Sequence, residues 1–124
     1  MAGDRVRVTR LLFLPAAEQY HTVVWRPAVD VYRTNKGWLV KYELAGVRPE
    51  DIRLTAAGSR LTVEGRRRDW FAEEDCCCYS MEISYSHFER TIELPADLER
   101  ADIAPRFENG MLLVRIETEA NREP

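Results

Sequence analysis

The chain has 124 residues, 45% of them hydrophobic and 31% charged, with a formal net charge of −3. That is sequence for one globular domain, large enough to bury roughly 65–70% of its unfolded surface without disulfide or metal staples. The weak acidity excludes a general attraction to phosphate backbones, so no nucleic-acid partner is expected. No apolar run approaches the ~20 residues of a membrane helix, so no membrane association is expected either.

Residues 1–24 read as an N-terminal arm, partly flexible. Arg5, Arg7 and Arg10 precede the apolar patch Leu11, Leu12, Phe13 and Leu14, then Pro15 and a polar stretch. The patch is too short for a signal-peptide core, which needs about 7–15 apolar residues. Its pattern does not extend into the domain. We read it as an adhesive segment that contacts other polypeptides, since exposed apolar clusters mark interaction sites. Folding back on the domain is the alternative. A short helix is expected at Ala16–Tyr20.

From Trp25 the pattern changes. Trp38, Val40, Tyr42 and Leu44 share one face of a single segment. Ile52, Leu54 and Ala56 alternate with Arg53 and Thr55, and Leu61 and Val63 with Thr62 and Glu64. Period-2 alternation of this kind predicts strands buried on one face. Asn35-Lys36-Gly37, residues 46–49 and Ala57-Gly58-Ser59 supply the turns between them. No window of helical length carries a 3.6-residue stripe, although one helical turn is expected at Asp97–Asp102. Asn109-Gly110 tolerates the positive φ angles of a tight hairpin and leads into the alternating strand Leu112–Ile116. Short strands at close spacing predict an all-β sandwich.

Residues 66–87 break the rhythm. Arg66-Arg67-Arg68, read as a solvated strand end, is followed by two aromatics, then Glu73-Glu74-Asp75 and Cys76-Cys77-Cys78. Structureless connections of roughly twenty residues are uncommon in compact domains and usually functional. Pairing with another chain is the expected use. The three consecutive cysteines make no disulfide framework, and without a leader segment a cytoplasmic location is expected. Adjacent thiols cannot close a metal tetrahedron, so no metal is expected. Inert loop cysteines are the first reading, and a thiol redox sensor is the alternative. His87 with Ser84 and Ser86 lacks the orienting carboxylate and oxyanion pocket of a nucleophilic triad, so no catalytic residue and no enzyme activity are expected. Arg90 falls in phase with the core residues Phe88, Ile92 and Leu94. A charge on an apolar face costs several kcal/mol unless paired. It fits either a sheet-edge arginine reaching water or a dimer-interface arginine paired with a carboxylate.

Five segments occur in order: Trp25-Arg26-Pro27-Ala28-Val29-Asp30-Val31-Tyr32, Glu43-Leu44-Ala45-Gly46-Val47-Arg48-Pro49-Glu50-Asp51-Ile52, Leu61-Thr62-Val63-Glu64-Gly65, Phe88-Glu89-Arg90-Thr91-Ile92-Glu93-Leu94-Pro95 and Asn109-Gly110-Met111-Leu112. The set resembles the α-crystallin domain of the small heat-shock proteins, over about residues 25–117. The resemblance implies an immunoglobulin-like two-sheet sandwich with a protruding dimerisation loop at 67–87 and a short tail at 118–124. It also implies ATP-independent binding of unfolding client proteins, with no cofactor. The long loop matches the bacterial and plant branch, in which it carries a strand exchanged with a partner subunit. That strand corresponds to Tyr79-Ser80-Met81-Glu82, so Tyr79, Met81, Glu82 and Arg90 are the candidate interface residues of a homodimer.

The departures from the family are specific. Ala45 stands where the family usually has proline. Pro105 replaces an alanine on a strand of the family's peptide-binding groove, and proline fits only an edge strand or a bulge. The usual C-terminal Ile-x-Ile anchor is missing after Ile116, which argues against large cages. The groove is expected between Ile52–Ala56 and Ile103–Phe107, lined by Leu54, Ile103 and Phe107. A holdase mechanism follows, in which free sheet edges and an apolar groove capture unfolded chains. The alternative is an interaction module like the co-chaperones with a CS domain, which usually lack the exchanged strand.

Overall fold

A computed structural model describes residues 6–10 and 25–118. Among these residues eight strands form: β1 Arg7–Arg10, β2 Val29–Arg33, β3 Gly37–Glu43, β4 Ile52–Ala57, β5 Arg60–Arg66, β6 His87–Glu93, β7 Asp102–Glu108 and β8 Met111–Glu117. They make two four-stranded sheets, ordered β1-β4-β5-β6 and β2-β3-β8-β7. The architecture is the expected all-β sandwich.

Alternation along each strand builds the core. Val40 and Tyr42 of β3, Leu54 and Ala56 of β4, Leu61 and Val63 of β5, Phe88 of β6, and Leu112, Val114 and Ile116 of β8 all face inward and are buried. The opposite face of the first sheet carries polar rows that follow from the register. Thr55 pairs with Thr62, and Thr62 with Thr91, and the last two hydroxyls lie 2.8 Å apart. The β7–β8 hairpin closes on Asn109 and Gly110, with φ of 54° and 78°, a two-residue turn whose twist matches the strands it joins.

The structure differs from the sequence reading in the arm and in two connecting segments. Part of the arm is not a detached segment: β1 pairs in parallel with β4. Four residues are too few for alternation to register in a sequence window. Asp97–Asp102 holds hydrogen-bonded turns, with Arg100 N–H to Asp97 O and Ala101 N–H to Leu98 O, rather than a helical turn. A 3-10 turn forms instead at Pro49–Asp51, where Pro49 starts the turn with a preset φ. The expected helix at 16–20 and the apolar patch at 11–14 lie outside the described residues, as does the tail beyond 118.

Candidate interaction surfaces

The first surface lies along β4. Its free edge is taken by β1, with Arg7 beside Arg53, Val8 beside Leu54, Thr9 beside Thr55 and Arg10 beside Ala56. Val6 and Val8 turn inward and pack, half-buried, on the core. Arg7 points out and is exposed. Across from β1, Ile103 and Phe107 of β7 are also half-buried against the core. An open cleft of about 900 Å³ remains between the two rims, lined by Val6 and Arg7 on one side, Ile52 and Arg53 on its floor, and Pro105 opposite. Leu54, Ile103 and Phe107 do not line it. Leu54 is 0% exposed, because the inward phase of β4 places it between the sheets and β1 covers its flank.

Pro105 fits its place for a definable reason. In a two-residue hairpin the residues flanking the turn, Glu108 and Met111, exchange both hydrogen bonds, so bonded and non-bonded pairs alternate from there. The register puts Pro105 opposite Val114, three pairs on, at a non-bonded position. The missing N–H therefore points away from β8, toward the outer side of an edge strand.

The second surface is the loop between β5 and β6 together with the outer edge of β2. Its feet are fastened by Arg67. The Arg67 N–H donates to Ser86 O at 3.0 Å, its Nε to Ser84 O at 2.8 Å and its Nη1 to Ala45 O at 3.2 Å. The guanidinium lies 3.6 Å from the centre of the Trp25 ring, and Trp25 in turn meets Phe88 edge-on at 5.2 Å. Arg48 stacks 3.5 Å over Trp70, and Arg68 reaches Asp51 at 3.4 Å. Beyond these fasteners the loop is exposed: Phe71 is 90% and Tyr79 102% exposed, with Met81, Glu82 and Ile83 open as well. No strand forms at Tyr79–Glu82 within the single chain. On β2, Val31 and Tyr32 are also exposed, and among the described residues β2 pairs with β3 alone.

Sequence reading missed Arg67, Trp25 and Trp70 as the parts that hold this loop. Three consecutive arginines look like a solvated strand end, and nothing in their spacing singles out the middle one.

Arg90 stands at the junction of the sheets. Its Nη1 donates to Pro27 O at 2.7 Å, which ties β6 to the segment entering β2. Among the described residues its Nε has no hydrogen-bond partner, nor does the buried Tyr42 hydroxyl. Burial pushes the Tyr42 hydroxyl pKa well up, against the pull of the Arg90 charge. Burial and then the charge of Arg26 lower the Arg90 pKa, against the pull of Tyr42.

The remaining polar groups serve the backbone. His87 Nδ1 lies 3.0 Å from Gly65 O, and Ser86 Oγ donates to His87 O. Cys76, Cys77 and Cys78 are exposed free thiols. Among the described residues no group of three His, Cys, Asp or Glu side chains could hold a metal ion, and no helix is long and apolar enough to cross a membrane.

Known proteins share this arrangement. The Hsp20/alpha crystallin family profile matches residues 30–124. The chain is 32% identical over 90 residues to small heat shock protein C2 of Rickettsia felis, covering 73% of this chain and 58% of that protein. Among solved structures, heat shock protein 16.0 of Schizosaccharomyces pombe superposes with a TM-score of 0.68 at 25% identity, covering 81% of this chain and 93% of that one. A small heat-shock protein of Xylella fastidiosa, described as having a distinct high-order structure, gives a TM-score of 0.65 at 25% identity over 81% of this chain and 92% of that one. The chain spans less than two thirds of the Rickettsia relative's length.

Proposed function

Because the chain belongs to the Hsp20/alpha crystallin family of small heat-shock proteins, generally ATP-independent chaperones and not enzymes, we propose that it is a holdase. It binds unfolding client proteins without nucleotide and keeps their apolar segments and strand edges from associating. One observation carries this reading: the edge of β4, beside the open cleft, already holds an extended stretch of polypeptide, paired backbone to backbone with β4 and seated by two valines. A surface that takes an extended strand of this chain can take one from another. Ile103 and Phe107, half-buried on the facing rim, supply apolar contact, and the Leu11–Leu14 patch adds to it.

Family members form dimers and larger oligomers and bind clients. For this chain we propose a homodimer made by strand exchange, with Tyr79–Glu82 of each protomer laid along the β2 edge of the other. The exposed apolar side chains of the loop and of β2 support it, since apolar clusters at an unpaired strand edge mark a contact. Arg90, by holding Pro27, fixes the segment that leads into that edge. The exposed loop speaks against the CS-type interaction module, which would leave the molecule a monomer with this loop folded on its own body. The three exposed thiols suit a reducing compartment such as the cytoplasm.

The test is light scattering. The purified protein, without ATP, should suppress heat- or reductant-induced aggregation of a model client at about equimolar to several-fold excess. Unchanged scattering across that range refutes the holdase.

A further inference from the structure

We propose that the cysteine triplet of the β5–β6 loop is an oxidation site, at which hydrogen peroxide closes a Cys76–Cys78 disulfide that keeps the loop from lending its strand to a partner. The proposal rests on the strand-exchange reading above and adds a chemical control to it.

The structure brings the thiols and the exchanged segment together. Cys76, Cys77 and Cys78 are exposed and free, and Tyr79 follows them directly. All three border one concavity of about 550 Å³ on the loop, shared with Phe71, Tyr79, Met81 and Tyr85. The chain is folded there, not extended. The Cys76 N–H meets Glu73 O at 3.4 Å, its thiol donates to the same oxygen at 3.0 Å, and the backbone bends again at Tyr79. The apolar side chains offered to a partner and the three thiols thus surround one basin. To lie along β2 of a partner, the segment must leave that basin and straighten.

Geometry selects the pair. Neighbouring Cα atoms are about 3.8 Å apart, short of the ~4.4–6.8 Å across a disulfide, so neither adjacent pair closes without distortion. Alternate residues in a turn come within that span. In an extended strand they do not bridge: the side chains of Cys76 and Cys78 would point the same way but stand roughly 6.6 Å apart, against about 3.5–4.5 Å between bridged Cβ atoms. A Cys76–Cys78 disulfide and a straight segment entering Tyr79 exclude each other.

The Cys76 thiol is engaged by Glu73 O, so the first attack falls to Cys78. Its thiolate attacks one peroxide oxygen, the O–O bond breaks, and Cys78 becomes a sulfenic acid. The Cys76 sulfur then bonds to the Cys78 sulfur, and the S–O bond breaks to release water. Two thiols lose two electrons and two protons, hydrogen peroxide accepts them, and two waters leave. Two equivalents of a small thiol reductant reopen the bridge by exchange. In a reducing compartment it lasts only while peroxide does.

The test treats the full chain with equimolar hydrogen peroxide, counts alkylatable thiols by mass spectrometry and measures dimer dissociation by sedimentation equilibrium. The reduced chain should show all three thiols and the oxidised chain only that of Cys77. Cys77→Ser should lose both of its thiols on oxidation, and Cys78→Ser should keep both. The bridged form should dissociate about tenfold more readily than the reduced one, as expected when few loops can straighten, and reductant should restore it. Chains cross-linked on a non-reducing gel, or loss of thiols in Cys78→Ser, overturn the pairing. Equal dissociation of the bridged and reduced forms overturns the control. If the reduced chain is already a monomer, the exchange reading falls and the control with it, while the thiol count still decides the bridge.

Discussion

The two rims of this sandwich are finished in opposite ways. At β4 the chain closes its own sheet with β1, and inward valines meet the core. At β2 no further strand is paired among the described residues, and Val31 and Tyr32 stay exposed. The difference lies in what faces inward at each rim. β4 buries Ile52, Leu54 and Ala56 on its inner face, so a strand beside it gains apolar contact. β2 is exposed at four of its five positions, so a strand there gains backbone pairing and contacts that only a second body can bury. The closed rim is finished by the single chain, and the open one is where we propose that a second protomer docks.

The largest expected effect tests that division. Leu54→Ala, at the closed rim, opens a cavity in a close-packed core and should cost about 2–5 kcal/mol in urea unfolding. Val31→Ala, at the open rim, should move protomer stability by no more than about 0.5 kcal/mol. A reversed order would mean that Leu54 faces the cleft and that β2 is integral to the core.

Next comes assembly. Tyr79→Glu with Met81→Glu places two charges on the exposed part of the loop, where they meet no core residue. Sedimentation equilibrium should then report the 14.4 kDa protomer, while the far-UV spectrum is unchanged. An undiminished mass would move the dimer contact away from this loop.

Arg67→Ala should follow, with a loss of about 1–3 kcal/mol from two carbonyl hydrogen bonds and one arginine–tryptophan stack. Its clearer reading is local. Limited proteolysis within residues 70–83 should speed up before global unfolding does, because Arg67 joins both feet of the loop to Ala45 and Trp25.

How much of this was legible in the chain depends on where the signal is stored. β3, β4, β5 and β8 carry apolar residues at alternate inward positions, and the Asn109-Gly110 turn fixes the last hairpin, so the sandwich could be read directly. The loop could be located because it lacks alternation. Its fasteners could not be read: Arg67 differs from Arg66 and Arg68 only by which side of the strand end it occupies, a matter of three-dimensional register. β1 was hidden because Val6 and Val8 are two residues among arginines, and their partner strand lies more than forty positions away. Leu54 is buried beside β1, which the sequence does not reveal, since alternation identifies the inward face of a strand but not whether that face meets the opposite sheet or an opening.

The smallest effect at neutral pH belongs to Tyr42, which lies beneath the open rim, opposite Val29 in the β2–β3 register. Its hydroxyl is buried without a hydrogen-bond partner, so Tyr42→Phe should be neutral or stabilising by up to about 1 kcal/mol at pH 7. Alkaline pH separates the two proteins. Burial raises the folded pKa of Tyr42 above its ordinary value of 10.0. Below that ordinary value both states hold the proton and the contribution is fully present. Above it the unfolded chain releases the proton and the native state does not, so stability falls as pH rises. The slope approaches about 1.4 kcal/mol per pH unit for one group. Tyr42→Phe should remove this share of the alkaline loss, leaving a shallower decline above pH 10 in urea midpoints. Equal slopes in the two proteins would mean that the hydroxyl reaches water through the β2 edge, and that this rim is looser than its hydrogen bonds to β3 imply.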